Sequence, residues 1–169
     1  MTRGLLLSFW GCLSVAEANR GINSLELNIK CPSHLESVGL MIHLTPRDPS
    51  VKAPRGLESD STWLNAQLSE ANQLFSEIGV CFIVSAMSPL PESESVMATR
   101  NQRTALGRAE WRLHRGQIEL FIVNRLEDVD VKGAEIRGVH WRDPKARESR
   151  RWVILSRIAR SKVLAHELG

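Results

Sequence analysis

The chain has no apolar run long enough to cross a membrane as a helix. The stretch from Gly4 to Val15 is 12 residues, which rise about 18 Å against a hydrocarbon core of roughly 30 Å. It also lacks internal repeats and low-complexity tracts, which sets repeat architectures aside. Charge of one sign is scarce in excess: the formal net charge is +3, which permits an acidic partner without pointing to one. Disorder is not the default either, since 43% of the residues are apolar and 24% charged. The 169 residues fit one domain and leave no room for two full ones.

What is present begins at the N-terminus. Arg3 precedes the apolar run, and Ala16-Glu17-Ala18 places small residues where a signal peptidase reads them. Residues 1–18 are therefore expected to be a signal peptide cleaved after Ala18, making the protein secreted or periplasmic; a buried N-terminal helix is the competing reading. Phe9-Trp10-Gly11 fits a lipidation signal at Cys12 poorly. Cleavage removes Cys12 and leaves Cys31 and Cys81, an even pair that reads as a candidate disulfide in an exported protein, the competing reading being two unpaired thiols with Cys81 packed in a strand. Closing that loop contributes about 3–4 kcal/mol in the chain-entropy model.

Residues 19–37 are weakly patterned and read as a short leader or a strand that joins late. Val38 to Leu44 is apolar and partly β-branched, and reads as a strand followed by an exposed proline-containing loop to Gly56. Asp60 or Ser61 can cap a helix bearing Leu64, Leu68, Ala71, Leu74, Phe75 and Ile78 on one face, with Gly79 at its left-handed stop. Val80 to Ala86 reads as the next strand, broken by Pro89 and Pro91. A helix over Arg100 to Arg115 follows, weakened by Gly107, and then a central strand over Ile118 to Val123, apolar apart from Glu119. Ile136 to Trp141 is expected to be an edge strand, Trp152 to Leu155 a buried strand, and Ile158 to Gly169 a helix. This order predicts an α/β (α+β) fold, with a mixed, mostly parallel, twisted sheet and helices packed on it.

The last helix carries Ala165-His166-Glu167-Leu168-Gly169. His-Glu begins the His-Glu-x-x-His pattern, in which two histidines four apart on a helix face one zinc ion. The glutamate reaches the zinc-bound water, whose pKa the metal lowers to about 7, and takes its proton. Taken alone, a bare His-Glu pair suits a solvated helix end better than a metal site. Its place in an apolar helix after a buried strand favours the metal reading, as does the strand–helix order before it. The chain also stops in mid-pattern at Gly169, without a cap or polar tail. It is accordingly expected to be incomplete at its C-terminus, with the second histidine as the next residue.

Val163-Leu164-Ala165-His166-Glu167-Leu168-Gly169 resembles the entry to the active-site helix of the metzincin clan of zincin zinc peptidases. The likeness covers residues 38–169 in element order and the last seven in motif. It implies a catalytic domain that hydrolyses a peptide or protein substrate, with Zn2+ as cofactor, His166 as a metal ligand and Glu167 as general base. It also implies an edge strand that aligns the substrate antiparallel to itself, here including Gly138, Val139 and His140. The clan's other ligands and its methionine-containing turn would lie past Gly169. A thermolysin-like enzyme with a distant glutamate ligand, and an inactive relative, stay open beside a metzincin.

His34, His43, His114 and His140 lie nine or more residues apart and read as surface or hydrogen-bonded residues rather than ligands. His140 is the one an edge strand could offer to substrate. Cys31 precedes the first strand, as an inhibitory leader cysteine would, but Cys31-Pro32 lacks that pattern's surroundings. A second class of function comes from the basic segment 137–162: an exported binding module that holds a polyanionic partner. No aromatic ladder for stacking bases accompanies it, so nucleic acid is not expected as a partner.

Overall fold

A computed structural model of the chain describes residues 25–108, 116–143, 145 and 151–169. The signal peptide reading, Cys12 and His114 lie outside these residues. Five strands form the main sheet: β1 (Glu36–Leu44), β2 (Val80–Pro89), β4 (Gln117–Val123), β6 (Gly138–Arg142) and β7 (Arg151–Ser156). Their order is β2-β1-β4-β7-β6, all parallel except β6, which pairs antiparallel with β7 at one edge. Two further strands, β3 (Val96–Met97) and β5 (Arg125–Leu126), make a short parallel pair that the sequence did not announce. The helices are α1 (Asp60–Phe75), α2 (Arg100–Leu106) and α3 (Val163–Leu168). The α/β class and the mostly parallel mixed sheet are as expected. No helix among the described residues is long and apolar enough to cross a membrane.

Alternation along the strands gives the sheet two apolar faces. Leu40, Ile42, Leu120, Ile122, Val153 and Leu155 meet Trp63, Leu64 and Leu68 of α1 and Leu164 of α3 in one core. Phe121, Val123, Trp152 and Ile154 meet Leu90, Met97, Leu106 and Leu126 on the other face. Residues 25–30 form no helix or strand, and Leu25, Leu27 and Ile29 pack onto the first core. That segment is tied to α1 by Asn28 N donating to Asn65 Oδ1 at 3.0 Å, and by Ser61 Oγ donating to Glu26 O at 2.7 Å. Cys31 and Cys81 are joined as a disulfide with their Cα atoms 5.8 Å apart.

Several boundaries differ from expectation, each for a physical reason. The cap of α1 is Ser59, whose Oγ accepts from Thr62 N; Asp60 is unavailable because Arg47 and Arg157 both bond its carboxylate. The helix ends at Phe75 and tightens into one 3-10 turn (Ser76–Ile78) before Gly79, at φ 81°, reverses the chain. β2 runs through Pro89 instead of stopping at Ala86. A bulge lets it: Leu40 pairs with Val84 and Met41 with Ala86, leaving Ser85 over. Gly39 opposite has no side chain, and a Cβ there would stand 2.4 Å from Ser85 Oγ.

α2 covers only Arg100–Leu106 of the helix expected to Arg115, residues 109–115 lying outside the described set. Gly107 closes it because the Trp152 ring lies where a Cβ would be, 2.4 Å away. α3 begins at Val163 rather than Ile158. The carbonyls that would start an earlier turn are taken by α1: Trp63 Nε1 donates to Ala159 O at 2.8 Å, and Gln67 Nε2 to Arg160 O at 2.7 Å. Gln67 Oε1 then accepts from Leu164 N at 3.0 Å. One buried glutamine thus serves as a remote cap for the short helix.

Candidate functional site

The expected site residues fall on two adjacent elements, the edge strand β6 and the helix α3. β6 starts two residues later than Ile136 and ends one later than Trp141, with Gly138 paired to Leu155, Val139 to Ile154 and His140 to Val153. Val139 and Trp141 pack on the second core, so alternation turns Gly138 and His140 toward the face that carries α3. A Cβ on Gly138 would lie 2.7 Å from Val163 Cγ1, 2.9 Å from Leu155 Cδ2 and 3.0 Å from Glu167 Cγ. The missing side chain is therefore the room in which α3 docks, and Glu167 sits directly over the start of the edge strand.

The register of α3 decides which side chains face inward. Leu164 and Ala165 are buried against the sheet, Val163 and Glu167 are half-buried facing β6, and His166 is exposed. His140 is exposed on the same face as Gly138, two residues further along β6, or about 6.6 Å at the usual rise of a strand. Among the described residues the outer edge of β6 pairs with no strand, which leaves that edge open to an extended peptide. Of the expected residues, Glu167 is thus brought beside Gly138, while His166 is exposed on the outward side of α3.

Neither a family model, nor a curated protein, nor a solved structure matches the chain. What it can do is therefore argued from its own side chains. Among the described residues no three His, Cys, Asp or Glu side chains converge as a metal site. A zinc site requires three or more protein ligands, and among the described residues His166 belongs to no such group.

The remaining histidines are not gathered here. His34 is exposed near the first strand. His43 is fully buried on β1. Its Nδ1 stands 2.6 Å from Ser88 Oγ on β2 and its Nε2 2.6 Å from Glu119 Oε2 on β4. Its ring stacks on Phe121 at 4.7 Å. This row explains the single acidic residue in the apolar β4 run: Glu119 is held inside by hydrogen bonding, as a buried polar group must be.

Sequence reasoning missed two charged constructions. Arg157 belongs to the basic segment 137–162 but is only 1% exposed. Its guanidinium donates to Asp60 Oδ1 and Oδ2, to Thr45 O and Oγ1, and to Asn124 Oδ1. It ties the ends of β1, β4 and β7 to the first turn of α1, and is not part of a surface patch. Arg108 makes a two-pronged contact with Asp143 just after β6, at 2.7 and 3.0 Å. The Arg108 hydrogen bonds hold the Asp143 carboxyl below its usual range and raise the Arg108 guanidinium in turn, with Lys145 N adding a further bond to Asp143. Only the approximate run of basic residues was visible in the sequence, not their sorting into interior and surface.

Proposed function

We propose that the chain carries the leading part of the catalytic domain of a secreted, metzincin-like zinc peptidase, in which His166 is the first metal ligand and Glu167 the general base. The observation that carries this reading is the docking of α3 on Gly138, which sets Glu167 over the start of an open, antiparallel edge strand. A peptide extended along β6 would present its backbone to that carboxylate, and His166 lies next to it on the outward side of the helix. The Cys31–Cys81 disulfide accords with an oxidising compartment. Roles are assigned only to side chains this chain contains: β6 would align the substrate, Glu167 would accept a proton, and His166 would offer one nitrogen to a zinc ion, which needs further ligands not gathered among the described residues.

The test compares the 169-residue chain with a version continued by its own downstream coding sequence. The short chain is expected to hold no stoichiometric zinc by dialysis and atomic absorption, since a single histidine competes poorly with water and buffer. The continued protein is expected to bind one zinc and cleave unstructured peptides, and Glu167→Ala to retain the metal while losing at least about a hundredfold in turnover. Normal cleavage by Glu167→Ala, or tight zinc binding by the short chain, refutes the assignment. The other reading, a module holding a polyanion through residues 137–162, loses the buried Arg157 from its patch.

A further inference from the structure

Beyond the end of β6 lies a cleft of about 800 Å³ between α2 and the residues that follow the strand. One wall is built rigidly. The Trp141 indole is covered on one face by the Arg103 guanidinium, 5.1 Å from its ring centre, and its Nε1 donates to Thr104 Oγ1 at 3.2 Å. Arg103 is itself buried and donates to Glu127 O. The cleft is strongly cationic. Arg100, Arg108, Arg142 and Lys145 line it, against one carboxylate, Asp143, which Arg108 already engages. Arg100 contacts Asp130 in an exposed pair, where such pairs hold each other weakly. Arg142 and Lys145 are exposed and in no ion pair among the described residues.

We infer that this cleft takes acidic side chains of an extended peptide lying along the open edge of β6. Two features select a peptide over other anions. The cleft continues directly from Trp141 and Arg142 at the end of β6, whose outer edge pairs with no strand among the described residues, and only a peptide can satisfy that edge and fill the cleft together. The fixed indole adds an apolar wall that a bare anion does not use.

Direction follows from the strand. β6 runs from Gly138, beside Glu167, to Arg142, beside the cleft. Antiparallel pairing is the stronger kind, so the peptide's N-terminal part lies at the cleft. From Gly138 to Arg142 is about 13 Å at the usual rise. The cleft lies on the Trp141 and α2 face of the sheet, opposite to the face of Gly138, so the favoured ligand has Asp or Glu opposite Trp141, about three residues N-terminal to the position opposite Gly138. Resting on the peptidase reading, this places the acidic preference upstream of the cleaved bond; the binding itself requires no metal and no turnover.

The experiment uses the 169-residue chain and fluorescein-labelled peptides of equal length in anisotropy titrations at low and physiological salt. One peptide carries two glutamates near its N-terminus, one carries them near its C-terminus, and one is neutral. The N-terminal acidic peptide is expected to bind about tenfold tighter than either other at low salt, with the margin shrinking as salt rises. Arg142→Glu combined with Lys145→Glu, both exposed and checked for folding by circular dichroism, should abolish that margin. Lys52→Glu, another exposed charge reversal, should not. Equal affinity for the three peptides, or a margin that survives the double reversal, overturns the proposal. So does a margin favouring the C-terminal acidic peptide, or capture of a heparin oligosaccharide with no preference among peptides. Because binding is read without zinc, a failure here leaves the Glu167 assignment standing, and an inactive continued protein leaves the cleft standing.

Discussion

Gly138→Ala probes the contact on which the site depends. The added Cβ would stand 2.7 Å from Val163 Cγ1 and 2.9 Å from Leu155 Cδ2, whereas carbon atoms prefer about 3.5–4.0 Å. Relief requires close to an ångström of movement. Neither neighbour yields easily: Val163 is β-branched and stiff at its first torsion, and Leu155 is fully buried. Glu167 Cγ, at 3.0 Å, belongs to a flexible chain and moves cheaply. Overpacking of this kind costs about 1–3 kcal/mol, offset by about 0.4–1 kcal/mol because alanine narrows the unfolded ensemble. A net loss of about 1–2 kcal/mol follows. With a urea slope of about 2 kcal/mol per molar, the middle of the usual range, the unfolding midpoint should fall by roughly 0.5–1 M. Val163→Ala removes the offending methyl, so the double variant should lose about 1 kcal/mol less than the sum of the two single losses. An unchanged or higher midpoint for Gly138→Ala, or strict additivity, would mean that α3 does not dock on β6 through that glycine.

Two further outcomes are expected. Arg157→Met leaves Thr45 O without the Arg157 donor and Asn124 Oδ1 with only the 3.2 Å bond from Asp48 N, while Asp60 keeps Arg47; the loss should be about 2–4 kcal/mol in urea unfolding, and a loss below about 1 kcal/mol would contradict the clamp. Asp143 is held below the ordinary carboxylate value of about 3.9 by Arg108. Its folded pKa being depressed, the stabilisation it gives is present above that value and disappears as pH falls through the lower folded one. Carboxyl-carbon NMR should show Asp143 titrating below the ordinary range, and Arg108→Gln should bring it upward; an Asp143 titration indifferent to that change would refute the pairing.

The elements that short-range pattern defines were legible. β1, β4 and β7 are apolar runs buried on both faces, α1 buries Leu64, Leu68 and Ala71 of its expected stripe while Leu74 and Ile78 are exposed, and Gly79 sits at φ 81° where a left-handed stop was expected. The misjudged boundaries are those that distant side chains control. Nothing near Ile158 reveals that Gln67, some ninety positions earlier, holds the carbonyls of Ala159 and Arg160 and caps Leu164 N. Gly107 looked like a weak point in a helix and is instead the seat of the Trp152 ring. Pro89 looked like a strand breaker, yet it sits last in an edge strand, where no partner requires its missing N–H.

The site divides along the same line. His166 and Glu167 are adjacent in sequence, so a motif can point to them; the glycine that seats Glu167 is some thirty residues away, and in isolation it reads only as a place where another chain segment comes close. Charge behaves likewise. The arginines and lysine of 137–162 form one cluster on paper, but folding sends Arg157 into a lattice of acceptors at the strand ends and leaves Arg142 and Lys145 facing solvent beside Trp141. A cation's role here is set by whether acceptors surround it after the sheet closes: with Asp60, Thr45 and Asn124 arranged around it, Arg157 is spent on structure. Arg142 and Lys145 have no such partners among the described residues, and so remain available to a ligand that brings its own carboxylates.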